Sequence, residues 1–265
     1  VSLAEALERA LASRIPVVVI TGSLYFVAQI RPLIIEVTKH QASSYQAGRL
    51  LSGKRLWHMP GQTVDGWLSE LASASPTPGG GGAAALTAAI SAALISMVCN
   101  LTIGKRGYAE HDEKLRGALR EADVLRARAL DLADADARAF KAVMAAYKLA
   151  RDTDEEKQTR ARAIQAALAD AADVPLRVAG LAVAVIRLAG DIVGRSNVNV
   201  LSDVAVAAVT AGAALDAAIV NVEVNLAAIV DTALRARLSA QLATLASARP
   251  DAQAVARDVR ARISR

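Results

Sequence analysis

Ser75-Pro-Thr-Pro-Gly-Gly-Gly-Gly-Ala-Ala-Ala-Leu86, with the apolar run that follows it to Leu101, decides how this chain folds. Two prolines exclude a helix up to Pro78, because the ring fixes φ and pushes the preceding residue out of the α region. Four consecutive glycines permit backbone shapes that side-chain-bearing residues avoid. From Ala83 onward no breaker stands before Gly104, so a glycine turn should lead into a long helix of small side chains. The first N–H groups of that helix have no intrahelical acceptor and face whatever occupies the turn. A Walker A loop needs Lys-Ser/Thr after the glycines, and Ala83-Ala84 stand there. The formal G-x-G-x-x-A match at 79–84 needs a strand before it, but Gly66-Trp-Leu-Ser-Glu-Leu-Ala72 reads as helix. Two readings stay open: a tight turn that brings two helices together, or a polar or anionic ligand held on a helix N-terminus.

Composition supports helices. The 265 residues are 54% hydrophobic but only 3% aromatic, so the core must be built from Ala, Leu and Val, which favours closely packed helices over a β-sandwich. The net charge of +5 is spread over faces where basic and acidic residues alternate, which argues for solvated surfaces over a nucleic-acid patch. The single cysteine, Cys99, precludes an intrachain disulfide, and no secretory pattern is visible at the start, so a cytoplasmic location is expected. Residues 83–101 and 204–230 are apolar enough to suggest membrane spans. The first is mostly alanine and the second carries Asp216, Asn221, Glu223 and Asn225, so no membrane association is expected. His40 and His58 lie in a polar stretch with no Cys or second His at ligand spacing, so neither suggests a metal site.

The expected architecture is an all-α bundle of antiparallel helices over 62–265, preceded by a linker at 37–61 and a short α/β-type appendage at 1–36. The helices are expected at about 64–73, 83–101, 110–149, 154–190, 203–230, 232–247 and 250–263. On the third, Leu125, Ala129, Leu132, Ala133, Asp136, Phe140, Val143 and Tyr147 recur at i, i+3, i+4 spacing. Asp136 is the only carboxylate on that stripe. Burial raises the pKa of such a group and suits it to carry a proton near neutral pH. It could equally be a buried acid satisfied by a neighbouring helix terminus or an arginine.

Several of these segments carry a resemblance. Leu71-Ala-Ser-Ala-Ser-Pro-Thr-Pro-Gly-Gly-Gly81, Ser96-Met97, Asn100-Leu-Thr-Ile-Gly-Lys-Arg-Gly-Tyr108, Asp134-Ala-Asp-Ala-Arg-Ala-Phe140, Val174-Pro-Leu176, Asn197-Val-Asn-Val-Leu-Ser-Asp203 and Asn221-Val-Glu-Val-Asn-Leu226 resemble the formimidoyltetrahydrofolate cyclodeaminase / methenyltetrahydrofolate cyclohydrolase family. The resemblance implies a homo-oligomeric folate one-carbon enzyme that needs neither metal nor cofactor and uses Asp136 as its catalytic acid–base. It places substrate at the turn Pro78, Gly79, Gly80, Gly81 and Gly82, at Lys105, and at the turn Asn199, Ser202 and Asp203. Asn221 and Asn225, four apart on one helix face, could read the edge of a pterin ring or simply bond another helix. Lys105 near a helix end also suits the helix dipole, and Ser202 or Asp203 would serve as an N-cap. The family usually has serine where this chain has Gly82. A non-catalytic helical folate-binding or scaffold protein is the alternative to an enzyme. Separately, Val17-Val-Val-Ile-Thr-Gly-Ser-Leu-Tyr-Phe-Val27 is similar to the C-terminal end of folylpolyglutamate synthase / dihydrofolate synthase, without the ATP loop that ligase activity would need.

Overall fold

The computed structural model describes residues 63–264, and the appendage and linker expected at 1–36 and 37–61 lie outside them. Among the described residues the regular elements are helical. They are α1 (Val64–Leu71), α2 (Gly80–Asn100), α3 (Asp112–Tyr147), α4 (Asp154–Ile192), α5 (Leu201–Ala228), α6 (Thr232–Ala246) and α7 (Arg249–Ile263). Short 3-10 turns at Arg106–His111 and Val198–Val200 lead into α3 and α5.

Helices α2 to α5 form a ring of four, each packed on its two neighbours, with α7 laid along α5. Side-chain bonds record the antiparallel register. Along α2 and α3, Gly82 meets Asp136, Ser96 meets Asp123 and, just past α2, Gly104 meets Asp112. Along α2 and α5, Gly80 lies beside Asn221, Ser91 donates to Thr210, and the Asn197 amide donates to the Leu101 carbonyl. The core between these helices is mostly alanine with a few branched anchors, Ile95, Leu115, Ile192 and Leu215, all fully buried. Small side chains let the axes come close, so many weak dispersion contacts replace a few large ones.

The helix boundaries differ from expectation in two informative places. α2 begins at Gly80, not Ala83: Gly79 caps it at φ −131°, ψ −159°, and the next three glycines form its first turn. Of the glycines described, Gly104 alone has positive φ, at 78°, so the four-glycine run is not there for unusual dihedrals. α5 begins at Leu201, because the 3-10 turn feeds directly into it; Ser202 and Asp203 are therefore first-turn residues and not its N-cap. α4 runs through Pro175 without a break, as expected for a continuous helix there. It opens with a reciprocal cap in which Thr153 accepts from Glu156 N–H and Glu156 accepts from Thr153 N–H.

α2 and the segment Val198–Ala228 are long and apolar enough to cross a membrane, yet both are core helices of the bundle. Their outer faces remain apolar: Ile90 and Met97 on α2, and Val206, Val220 and Val224 on α5, are exposed.

Candidate active site

The stripe on α3 changes character at Asp136. Leu125, Ala129, Leu132 and Ala133 are buried, whereas Phe140 is 38% and Tyr147 45% exposed. Beyond Asp136 the stripe leaves the core and becomes, through Ala139, Phe140 and Val143, one wall of a cavity of about 420 Å³. The glycine turn and the residues Asn221 and Asn225 of α5 form other walls, with Leu168 and Ala171 from α4. That volume is in the range that encloses a small organic ligand.

At the α2 terminus the Gly82 N–H donates to Asp136 Oδ2 at 3.0 Å. This satisfies one of the orphan donors of the first turn, and the positive end of the helix favours an anion there. Asp136 thus lines an apolar cavity wall and is held by a helix terminus, the satisfied arrangement that was one of the two alternatives left by the sequence. Burial pushes its carboxyl above the ordinary aspartate value of 3.8, and the Gly82 N–H pulls it back part of the way. Gly81 explains the close approach. A Cβ built there would stand 2.0 Å from Asp136 Oδ1 and 2.5 Å from Cγ. The glycine serves by leaving space for the carboxyl. Gly82 is different, since its Cβ would find only ordinary contacts at 3.7–3.9 Å with Pro78, Trp67 and Ala133.

Of the residues singled out in the sequence, Gly79, Gly80, Gly81, Asp136, Asn221 and Asn225 line this cavity. Pro78 stands beside Gly82, joined to Thr77 through a cis peptide bond. Lys105, Asn199, Ser202 and Asp203 gather elsewhere. α2 is 21 residues long, so its far end, where they lie, is about 30 Å from Gly80. There Tyr108 OH accepts from Val198 N–H, and Asn197 bonds Leu101, Thr102 and Asn199. Sequence reasoning missed Phe140 and Val143 as cavity walls. The mean exposure of a stripe cannot be read from its period alone.

Cys99 is fully buried, and burial, with the Asp123 charge second, pushes its thiol up to about 11. It is a core residue and no nucleophile.

An antiparallel helical bundle with one carboxyl set on a glycine-led helix terminus defines the class: an all-α protein with a carboxyl-lined pocket. Comparison with known proteins narrows it. The family described as formiminotransferase-cyclodeaminase matches residues 63–244. A methenyltetrahydrofolate cyclohydrolase of Methylorubrum extorquens is 48% identical over 62% of this chain and 79% of its own length. The formimidoyltransferase-cyclodeaminase of Sus scrofa is 36% identical over 72% of this chain, which spans only 35% of that longer protein. The crystal structure of a formiminotetrahydrofolate cyclodeaminase from Thermotoga maritima superposes with a TM-score of 0.68 at 27% identity, covering 78% of this chain and 98% of that one. The chain belongs to the formiminotransferase-cyclodeaminase family.

Proposed function

We propose that this chain is a folate one-carbon enzyme that hydrolyses the methenyl bridge of 5,10-methenyltetrahydrofolate to the 10-formyl form. The observation that carries the reading is the Asp136 carboxyl, held at the α2 terminus on the wall of a ligand-sized cavity, in a chain of this family. The 48% identical cyclohydrolase favours hydrolysis over deamination. In this reaction water adds to the bridging carbon between N5 and N10, and the Asp136 carboxylate takes a proton from it. The C–N5 bond then breaks as Asp136 returns the proton to N5, and the remaining hydroxyl proton leaves as the formyl C=O forms. A pKa raised by burial brings the two protonation states closer in energy at neutral pH, which is what a group that must accept and then donate needs. Proton transfer and positioning suffice, with no metal or cofactor in the scheme.

The cyclodeaminase and the longer cyclodeaminase relatives favour a second reaction on the same site. There N10 attacks the formimino carbon carried by N5 and its proton passes to the imino nitrogen; Asp136 then protonates the resulting amino group, the C–NH2 bond breaks, and ammonia leaves as the methenyl bridge forms. The two are separated by supplying each substrate in turn and following methenyltetrahydrofolate absorbance. Loss of the methenyl signal faster than in buffer supports hydrolysis; gain from the 5-formimino substrate alone supports deamination.

The chain acts as a homo-oligomer in this reading, most simply a dimer. The outer face of α2 and α5 carries Ile90 at 51%, Val220 at 56% and Val224 at 67% exposure, an apolar surface that a second copy would cover. A two-fold axis lying in that face across the helices would set the Lys105 end of one copy against the Asp136 cavity of the other. This is how Lys105, Asn199, Ser202 and Asp203, remote within one subunit, would join the substrate site. Mixed Asp136→Asn and Lys105→Ala subunits should then recover activity that neither variant has alone. A monomer by light scattering, or no recovery on mixing, refutes the shared site. A cytoplasmic location completes the reading, supported by the lone buried thiol.

A further inference from the structure

Pro175 lies inside α4 and has no N–H, so the carbonyl four residues earlier, that of Ala171, lacks its helical donor. Ala171 is buried at the cavity wall, so its carbonyl needs a hydrogen-bond partner. The donor comes from another helix: Asn225 Nδ2 bonds the Ala171 carbonyl at 3.1 Å and the Asn221 carbonyl at 2.9 Å. Both amide hydrogens of Asn225 are thereby used. The identity of the two ends of the amide is settled by this pairing, because a carbonyl accepts only from the nitrogen. With both hydrogens engaged, the group that Asn225 has left for a ligand in the cavity it lines is its oxygen.

We propose that Pro175 is a positioning residue for substrate recognition: by freeing the Ala171 carbonyl it locks the Asn225 amide, so that Asn225 Oδ1 stands as an acceptor for an N–H donor on the substrate's fused-ring system. The proposal rests on the folate reading above and deepens it. Asn221 differs, since one of its amide hydrogens goes to its own helix at Ala217 and the other is free to donate. The two asparagines therefore present unlike groups, one acceptor only and one acceptor with a donor, which is a directional code for a ring edge carrying both kinds of atom.

The test is a two-residue cycle read as KM for methenyltetrahydrofolate and as Kd for tetrahydrofolate, which lacks the reactive carbon. Pro175→Ala restores an N–H that competes for the Ala171 carbonyl and releases Asn225 to rotate. It should stay folded, raise KM and Kd by about tenfold, the ratio that one lost hydrogen bond supports, and leave kcat within about twofold. Asn225→Leu should weaken binding by a similar factor, and in that background Pro175→Ala should add nothing, because the two act through one bond. Additive effects, or parental KM in Pro175→Ala, overturn the assignment. Should Pro175→Ala not fold, Asn225→Asp decides alone: its carboxylate is repelled by both carbonyls, and parental binding there overturns the assignment too. Parent protein that neither binds tetrahydrofolate nor consumes the methenyl compound overturns the functional reading and this proposal together. Parental activity with an unchanged cycle sinks only the role of Pro175.

Discussion

Gly81→Ala is a perturbation of one methyl group whose consequence follows from the geometry. The added Cβ would lie 2.0 Å from Asp136 Oδ1, far inside the 3.4 Å at which ordinary contact begins, so one group must move by about 1.4 Å. Gly81 sits in the first turn of α2 with its backbone committed to the helix, and the Asp136 side chain is the part free to rotate. Its rotation breaks the 3.0 Å bond from Gly82 N–H. A displacement of about 1 Å in a reacting group costs on the order of a hundredfold in rate, and a charge-assisted bond is worth about 1.5–3 kcal/mol. The rate of methenyl hydrolysis should therefore fall by about two orders of magnitude. Stability moves less, because the helix gain of alanine over glycine, about 0.5–1 kcal/mol, offsets part of an overpacking cost of about 1–3 kcal/mol. The assay is initial rate by absorbance with a thermal melt on the same sample. In an Asp136→Ala background the methyl has room, so Gly81→Ala should no longer destabilise. A Gly81→Ala protein with the parental rate, or an equal stability loss in both backgrounds, refutes the contact as the cause.

Gly82→Ser should fold and still hold Asp136, since its Cβ meets only atoms at 3.7 Å or more and its N–H is retained; a melting temperature well below the parent's contradicts this. Asp136→Asn should stabilise the fold at neutral pH. The carboxyl is raised in the folded state, so the unfolded chain releases its proton first and the parent loses stability as pH rises from 3.8 through the folded pKa. The advantage of the amide should accordingly vanish below about pH 3.8, the ordinary aspartate value, and denaturant melts at both pH values check it. Cys99, fully buried with its thiol pushed up to about 11, should react with a thiol reagent only on unfolding, and prompt labelling of native protein would contradict its place in the core.

Much of the bundle was legible because alanine-rich amphipathic runs announce helices and their short connections announce antiparallel neighbours. Asp136 was legible for a local reason: one carboxylate interrupted a stripe of helical period. The glycine run was half legible. Its place before a helix showed in the sequence, but the glycines resemble a turn when judged by propensity, and Gly81 is required by a carboxyl 55 residues away, which no local rule contains. Long-range pairing also hid the Asn225–Ala171 bond. Pro175 marks a missing donor in the sequence, but only the packing of α5 on α4 shows what replaces it. Lys105 and Asn199 illustrate the opposite limit, because the resemblance groups them with Asp136 while the fold sets them apart from it by the length of α2.

Consumption of methenyltetrahydrofolate by the parent and by Asp136→Asn, with tetrahydrofolate binding measured on both, decides whether Asp136 carries the proton. The parent should turn over faster than buffer, and the variant should lose about a hundredfold or more while still folding and binding tetrahydrofolate. A variant that binds and turns over at the parental rate would contradict Asp136 as the proton carrier.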